Sequence, residues 1–353
     1  MSSLAKALTA PLTRFVLPTG SEATAPAERR GLARDEVRLL VSSRSGIKHA
    51  VFKDLADALA PGDMLVVNTS ATLPAAVQGD RGDGTRLPVH VASGLDDGSW
   101  VVEVREPDNS GPYTDLAPHD VIVLSGGLAA KVEAPYPEPV RGASRLWRVR
   151  IQPPTDRVGY LRRHGRPIRY GYLNGQWPLS DLQTVYADEP GSAEMPSAGR
   201  PFSADLLTRL MARGIVIAPL VLHTGVSSPE KHEPPMPERF RVPVATARLV
   251  NVTREAGGRV VAVGTTVVRA LESSADADGR VLAGEGWTDL VLGPARKVRV
   301  VNGLISGLHE PEASHLLLLE AVAGDGLVRQ AYDAAVTEHY LWHEFGDSML
   351  FLP

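Results

Sequence analysis

From about residue 72 to residue 151 the chain carries no helical periodicity. Short β-rich runs, LPVHVAS, WVVEVREP, DVIVLSGG and LWRVRIQ, follow one another across Gly, Asp and Pro turns. Asp96-Asp97-Gly98 is a hairpin-type turn signal among them. Strands this short and closely spaced, with no helix between them, point to a small barrel or sandwich. The flanks read differently. Before the β-rich stretch come an extended surface segment at 19–36, a strand at 37–42 and a helix at 52–59. The helix rests on apolar Phe52, Leu55, Ala56 and Leu59, and the turn Pro61-Gly62-Asp63 leads into a strand at 64–68.

From about residue 153 helices and strands alternate. SADLLTRLMARG reads as a helix, and IVIAPLVL, GGRVVAVG, TDLVLG and the closing DSMLFLP read as strands. VVRALESS, ASHLLLLEAVAG and the stretch 327–342 read as helices. The expected architecture is an α/β core with some parallel sheet, built from residues 1–71 and 153–353. It carries an inserted small all-β, barrel-like domain at 72–152.

Composition excludes several classes of chemistry. The 353 residues contain no cysteine, which removes disulfides, thiolate zinc sites and thiol nucleophiles together. No apolar run is long enough to span a bilayer, and the N-terminus MSSLAKALTAPLTRF lacks the pattern of a secretory signal, so a cytoplasmic protein is expected. A net charge of −4 argues against a large nucleic-acid footprint, although arginine far outnumbers lysine and leaves room for a local arginine patch.

The most chemically varied stretch is 183–199, QTVYADEPGSAEMPSAG. It is polar, punctuated by Gly and Pro, and feeds a helix and an apolar strand that ends on His223-Thr224-Gly225. Loops placed like this carry binding residues in α/β enzymes. His223 follows the strand directly and suits proton transfer near neutrality; equally, it is a histidine hydrogen-bonded to its own loop. Strand–Gly264-Thr265-Thr266–helix offers exposed N–H groups and a helix dipole to a carboxylate or phosphate, with either threonine as the cap. Arg269 would add a bidentate clamp; the plainer reading is a capped turn with a solvent-facing arginine. The segment GLISGLHEPEASH sets His309, Glu310 and Glu312 in a turn before a Leu-rich helix, to grip hydroxyls or simply to cap it.

Other patterns fail on inspection. There is no Walker lysine and no GxGxxG. Ser228-Pro229-Glu230-Lys231 has SxxK spacing, but a proline lies inside it and no SDN or KTG partner exists. His339 and His343 are four apart on an expected helix, with Glu344 adjacent, yet no third metal ligand is evident.

Taken together, the segments FKDLADALAPGDMLVVNTSATLPA, QTVYADEPGSAEMPSAG, LVLHTGVSSP, GGRVVAVGTTVVRALES, GWTDLVLGP, LHEPEASH, AYDAAV and FGDSML occur in the order and spacing of one family. The chain resembles the S-adenosylmethionine:tRNA ribosyltransferase-isomerases of queuosine biosynthesis from about Arg38 to Phe351. That resemblance implies an α/β core with an inserted β-barrel. It also implies transfer and isomerisation of the ribosyl part of S-adenosylmethionine onto the aminomethyl group of a deazaguanine in tRNA. Epoxyqueuosine forms, adenine and methionine leave, and neither metal nor redox cofactor takes part.

On this resemblance Thr265, Thr266 and Arg269 anchor the methionine carboxylate beside Gly264, and His223 moves the proton with Thr224 and Gly225 next to it. Tyr186, counted with His223 as catalytic, lines the nucleoside pocket with Ser197 and Gly199, and His309 takes the ribose side. Trp342, Tyr340 or Phe345 faces the sulfonium. The chain departs from the family pattern at basic positions. Two arginines are Ala71 and Ala76, histidines are Pro201, Pro234 and Pro237, and a lysine is Glu312. These losses weaken the grip on an RNA backbone. They leave open a diverged paralogue with a small-molecule acceptor, and a non-catalytic binding protein.

Overall fold

The structure, a computed structural model, describes residues 10–137, 145–226, 235–293 and 296–353. The chain opens with two short 3-10 turns, Ala27–Arg30 and Arg34–Glu36, rather than an extended segment. Then come the hairpin β1 (Arg38–Ser43) and β2 (Gly46–Val51), β3 (Met64–Asn68) and β4 (Ser70–Thr72). The helix expected at 52–59 is a 3-10 helix over Phe52–Asp57.

Six strands follow: β5 (Ala76–Arg81), β6 (Arg86–Gly94), β7 (Trp100–Val104), β8 (Val121–Leu124), β9 (Leu128–Tyr136) and β10 (Leu146–Gln152). They pair antiparallel in the closed order β10-β7-β6-β5-β8-β9, a barrel. Its interior holds Val89, Val91, Val102, Ile122, Val132 and Val149, with Tyr160 and Leu161 of α1 (Arg157–His164) packed against them. Closure leaves no unpaired edge, which is how so small a β unit avoids pairing with a neighbour.

The remaining elements are β11 (Glu189–Ser192), α2 (Ala204–Ala212), β12 (Val216–Leu222), β13 (Glu238–Val242), α3 (Val244–Glu255), β14 (Val260–Val263), α4 (Thr265–Ser273), β15 (Gly284–Thr288), β16 (Gly303–Gly307), α5 (Ser314–Ala323), α6 (Asp325–Thr337) and β17 (Ser348–Leu352). Nine strands make one mixed sheet in the order β15-β13-β12-β3-β14-β16-β17-β1-β2. The central four, β12, β3, β14 and β16, are mutually parallel. Both of their faces are covered, so they read as unbroken apolar runs such as MLVV and VVAV. Met64, Val66, Val260 and Ala262 point into the cluster that contains α3 to α6 residues. Leu65, Val67, Val261 and Val263 point the other way, towards Phe52, Phe202, Leu206 and Leu210.

Two expected elements differ. TDLVLG is not a strand beyond Thr288, because β15 pairs with β13 upstream of it, over Gly284–Thr288. The last helix ends at Thr337, so His339 and His343 are not on it; both have positive φ (52° and 71°) in the turn that follows. Among the described residues no helix is long and apolar enough to cross a membrane.

Candidate active site at the carboxyl ends of the parallel strands

The four parallel strands end side by side on Asn68, Leu222, Val263 and Gly307. The residues that follow them are the ones the sequence singled out: His223, Gly264-Thr265-Thr266 and His309. This is the crevice position of open α/β sheets, where loops leave the strands' carboxyl ends. A separate surface hollow bounded by Ser43, Arg44, Lys48 and Arg259 lies at the opposite end of the sheet and includes none of them.

Asn68 ties the crevice together, and sequence reasoning passed over it. Its Nδ2 donates to Leu222 O (2.8 Å) and to Thr266 Oγ1 (3.4 Å). Its Oδ1 accepts from the N–H groups of Leu222 (3.0 Å) and Ser70 (3.1 Å). One buried amide therefore locks three of the segments in register. The available signal was an asparagine closing an otherwise apolar strand.

The loop 183–199 is built more firmly than its composition suggests. Gln183 acts as a ladder rung, accepting from Thr72 N (2.9 Å) and donating to Thr72 O (2.8 Å). β11 then pairs parallel with β4. Gly191 to Pro196 and Gly199 are buried, and the turn Ser197–Gly199 comes against α4, where a Cβ on Gly264 would lie 3.4 Å from Ala198 Cβ. Ser197 is half-buried on this turn. Tyr186 packs against Phe202 with ring centroids 6.0 Å apart. Its hydroxyl is buried without a hydrogen-bond partner, pressed against Gly199, and burial holds its pKa above the usual tyrosine value.

His223 lies against Gly191, where a Cβ would come within 2.3 Å of Nδ1. Nδ1 is 2.7 Å from Ser70 Oγ, Ser70 Oγ is 2.6 Å from Ser192 Oγ, and Ser192 Oγ accepts from Thr224 N at 3.0 Å. Nε2 faces a Glu189 carboxylate oxygen at 3.7 Å. That carboxylate favours the tautomer with the proton on Nε2, so that Ser70 donates to Nδ1. Burial lowers the His223 pKa to about 4, with Arg157, Arg239 and Arg241 reinforcing it and Glu189 opposing it. The ring is neutral at physiological pH.

At the start of α4 the cap position is Gly264 (φ 96°), and no side chain caps the helix. Thr266 instead accepts from Asn68. The first N–H groups of the helix, on Thr265 and Thr266, are left for an anion, as helix geometry dictates. Arg269 points elsewhere. It pairs with Glu238 and donates to the carbonyls of Leu290 (3.1 Å), Met236 (3.1 Å) and Thr288 (2.9 Å). Gly225 N–H also donates to Glu238, at 3.2 Å, and burial pushes that carboxyl's pKa up against the pull of Arg269. The guanidinium is thus a buried clamp for the β13–β15 side, not a solvent-facing group.

His309 donates or accepts at Ser306 Oγ (2.9 Å), and its ring stacks on His315 at 4.5 Å. Burial holds its pKa well below the usual value, helped by His315 and His343. The three aromatics expected at a sulfonium are already engaged. Arg38 covers Tyr340 at 3.8 Å, Arg200 covers Phe345 at 4.9 Å, and Trp342 is buried with its Nε1 donating to His309 O (3.1 Å). A second group, missed in the sequence, stands nearby. Tyr172 stacks between Tyr170 (5.7 Å) and His343 (4.3 Å), and Tyr170 hydrogen-bonds Glu194 within the electrostatic reach of Glu344. Burial raises Glu344 to about 7. Glu194 lies in the stretch 183–199, and His343 and Glu344 in the pattern set aside as a metal site; that they meet Tyr170 and Tyr172 follows only from the fold.

The departures from the family pattern are accommodated rather than left as gaps. Ala71 pairs with Pro190, and Ala76 exchanges both bridge hydrogen bonds with Arg166 (2.9 and 2.8 Å). Pro201 is buried, and the neighbouring Arg200 donates to Asp181 O and Glu28 (both 2.9 Å). Glu312 faces Arg14 at 3.8 Å. Pro234 and the SxxK segment lie outside the described residues. Among the described residues no group of three or more His, Asp or Glu is arranged to hold a metal ion.

Comparison with known proteins places the chain in a family. A family model described as "Queuosine biosynthesis protein" matches residues 12–351. The S-adenosylmethionine:tRNA ribosyltransferase-isomerase of Moorella thermoacetica is 37% identical over 351 residues, covering 96% of this chain and 98% of that protein. Its counterpart from Symbiobacterium thermophilum is 36% identical over 330 residues, covering 90% and 94%. A crystal structure of the S-adenosylmethionine tRNA ribosyltransferase from Thermotoga maritima is 29% identical with a TM-score of 0.52, covering 96% of this chain and 99% of that one. With residues 12–351 matched by the family model, this protein belongs to the queuosine biosynthesis protein family.

Proposed function

We propose that this protein is an S-adenosylmethionine:tRNA ribosyltransferase-isomerase acting in the cytoplasm. The observation that carries the reading is the convergence of Asn68, His223, Gly264-Thr265-Thr266 and His309 at adjacent strand ends, within a chain matched over 90% and more of its length by enzymes of that name. S-adenosylmethionine is the co-substrate. Its ribosyl part is transferred to the aminomethyl group of a deazaguanine in tRNA and isomerised, with release of adenine and methionine.

The chain's own groups divide the work as follows. The N–H groups of Thr265 and Thr266 and the α4 dipole bind the methionine carboxylate. Arg269 positions the wall behind them through Glu238 rather than touching the carboxylate. Neutral His223 accepts a proton at Nδ1 through Ser70, whose hydroxyl hands its own proton to the ring as it takes one from the reacting ribose side. His309 and Ser306 face its hydroxyls, and Tyr186, Ser197 and Gly199 back the nucleoside. The sulfonium and the acceptor amine are cations, and Glu194, Glu344 and the Tyr170–Tyr172 pair form the complementary side.

The test is adenine release with and without deazaguanine-modified tRNA, alongside calorimetry with S-adenosylmethionine. Release that depends on modified tRNA is expected. Release independent of tRNA points to a small-molecule acceptor, and no binding of S-adenosylmethionine sinks both enzymatic readings.

A further inference from the structure

We infer that the arginine-bearing segment 157–172 is the surface on which the tRNA backbone docks beside the crevice. The inference rests on the tRNA reading above and adds where the polyanion lies. Between Asp156 and Asp181 the chain has no acidic residue and five arginines, Arg157, Arg162, Arg163, Arg166 and Arg169, in a protein of net charge −4. Arg157 turns inward and donates to Gly191 O (3.1 Å). The other four are exposed, and none of their guanidinium groups has a hydrogen-bond or ion-pair partner among the described residues. Other exposed arginines are neutralised, as Arg213 is by Asp57 and Arg239 by Asp96. Those that are not among the described residues, such as Arg44, Arg86, Arg248 and Arg280, stand apart from one another in the chain. Four uncompensated charges within eight residues form the local footprint that phosphate binding needs.

The segment is strapped to the site at both ends. Arg157 holds Gly191, on which the His223 ring lies, and Tyr170 hydrogen-bonds Glu194. Between them Ile168 packs with Ala193, and Arg166 bridges Ala76. Gly165 is pressed so closely on the chain that a Cβ would lie 1.9 Å from Pro74 O. The four arginines are therefore on a fixed strap whose inner side is the site loop. The stacked Tyr170 and Tyr172 continue it towards His343, with the Tyr172 ring held between the other two. An acidic protein would satisfy the charge but not the adjoining crevice.

The experiment changes Arg162, Arg163, Arg166 and Arg169 together to Ala, and in a second variant to Lys. Affinity for unmodified tRNA is measured between 50 and 200 mM salt, with adenine release and S-adenosylmethionine calorimetry in parallel. The Ala variant is expected to bind tRNA at least ~10-fold more weakly at low salt and to flatten the log–log salt slope by about 3. It keeps S-adenosylmethionine affinity, and the Lys variant keeps most of the slope. Should the fourfold Ala variant fail to fold, Arg162→Ala with Arg163→Ala still lowers the slope by about 1.5. A control set at exposed Arg44, Arg86, Arg248 and Arg280 keeps the wild-type slope. Wild-type tRNA binding matched by the Ala variant in affinity and slope overturns the docking surface alone and leaves the arginines to an acidic protein. Equal loss in the control set overturns it too. Wild type with no salt-dependent tRNA binding and tRNA-independent adenine release overturns the underlying reading and this surface with it.

Discussion

His223 shows how much of a catalytic residue's character is set by its neighbours. A histidine after a buried strand is ambiguous as a sequence feature, because the same residue type serves as a base or as a loop tether. Here it is both tethered and neutral, with the Ser70–Ser192 pair on one nitrogen and Glu189 opposite the other. The close approach requires Gly191, since a side chain there would occupy the ring's place. Gly191→Ala is therefore expected to displace the ring and lengthen the Ser70 contact. Adenine release should fall by roughly 10²-fold, the scale of a misplaced general base, while S-adenosylmethionine affinity changes little. Because the His223 pKa is about 4, the wild-type rate should show no histidine inflection between pH 6 and 7. Wild-type activity in Gly191→Ala, measured by single-turnover adenine release, would remove His223 from the proton-transfer role.

At the scale of elements, α4 separates what sequence reveals from what only packing decides. The Gly-Thr-Thr helix start was legible because φ 96° at Gly264 admits glycine and little else; the absence of the expected threonine cap was not, since Thr266 turns to Asn68 instead. Arg269 was not legible, since its one-turn spacing from the helix start fits a ligand clamp as well as a wall clamp. What decides is β13, a strand that sequence reasoning did not identify, which brings Glu238 against it. Asn68 and the Tyr170–Glu194–Glu344 group were missed for the same reason: Asn68 meets Leu222 and Thr266, and Tyr170 meets Glu194, only through the folding of the chain. Arg269→Ala should accordingly lower stability by about 3–5 kcal/mol, the cost of stranding a buried carboxylate. Arg269→Met paired with Glu238→Leu should recover most of that loss. Denaturant unfolding checks it: a fully stable Arg269→Ala that has lost S-adenosylmethionine affinity would return the arginine to the carboxylate anchor.

Across the whole molecule, the β-rich texture made the barrel legible and the alternation of helix and strand made the core legible. The two differ in how they hold charge. In the core, burial depresses His223, His309 and His343, so each binds fewer protons folded than unfolded. For such groups the unfolded chain takes up protons first, between pH 6.5 and about 4, and stability falls with pH across that window. His223 alone accounts for about 3 kcal/mol at the bottom of it. In the barrel the leading buried acid is Glu103. Burial would raise its pKa, but His90, Arg145 and Arg105 outweigh burial and hold it below the usual value. Its contribution is intact down to about pH 4.5 and is lost only as pH falls through its lowered pKa. Glu344, raised to about 7, binds more protons folded than unfolded over the same range and opposes the histidines. In a Glu344→Gln background, acidification from pH 7 to pH 5 should therefore loosen the core before the barrel. Hydrogen exchange read by mass spectrometry should quicken in β12, β14 and β16, with β5 to β9 unchanged, and substituting His223 by Gln should blunt the core's response. Equal quickening in both units would mean that the barrel and core open together and that the buried histidines do not set the acid limit.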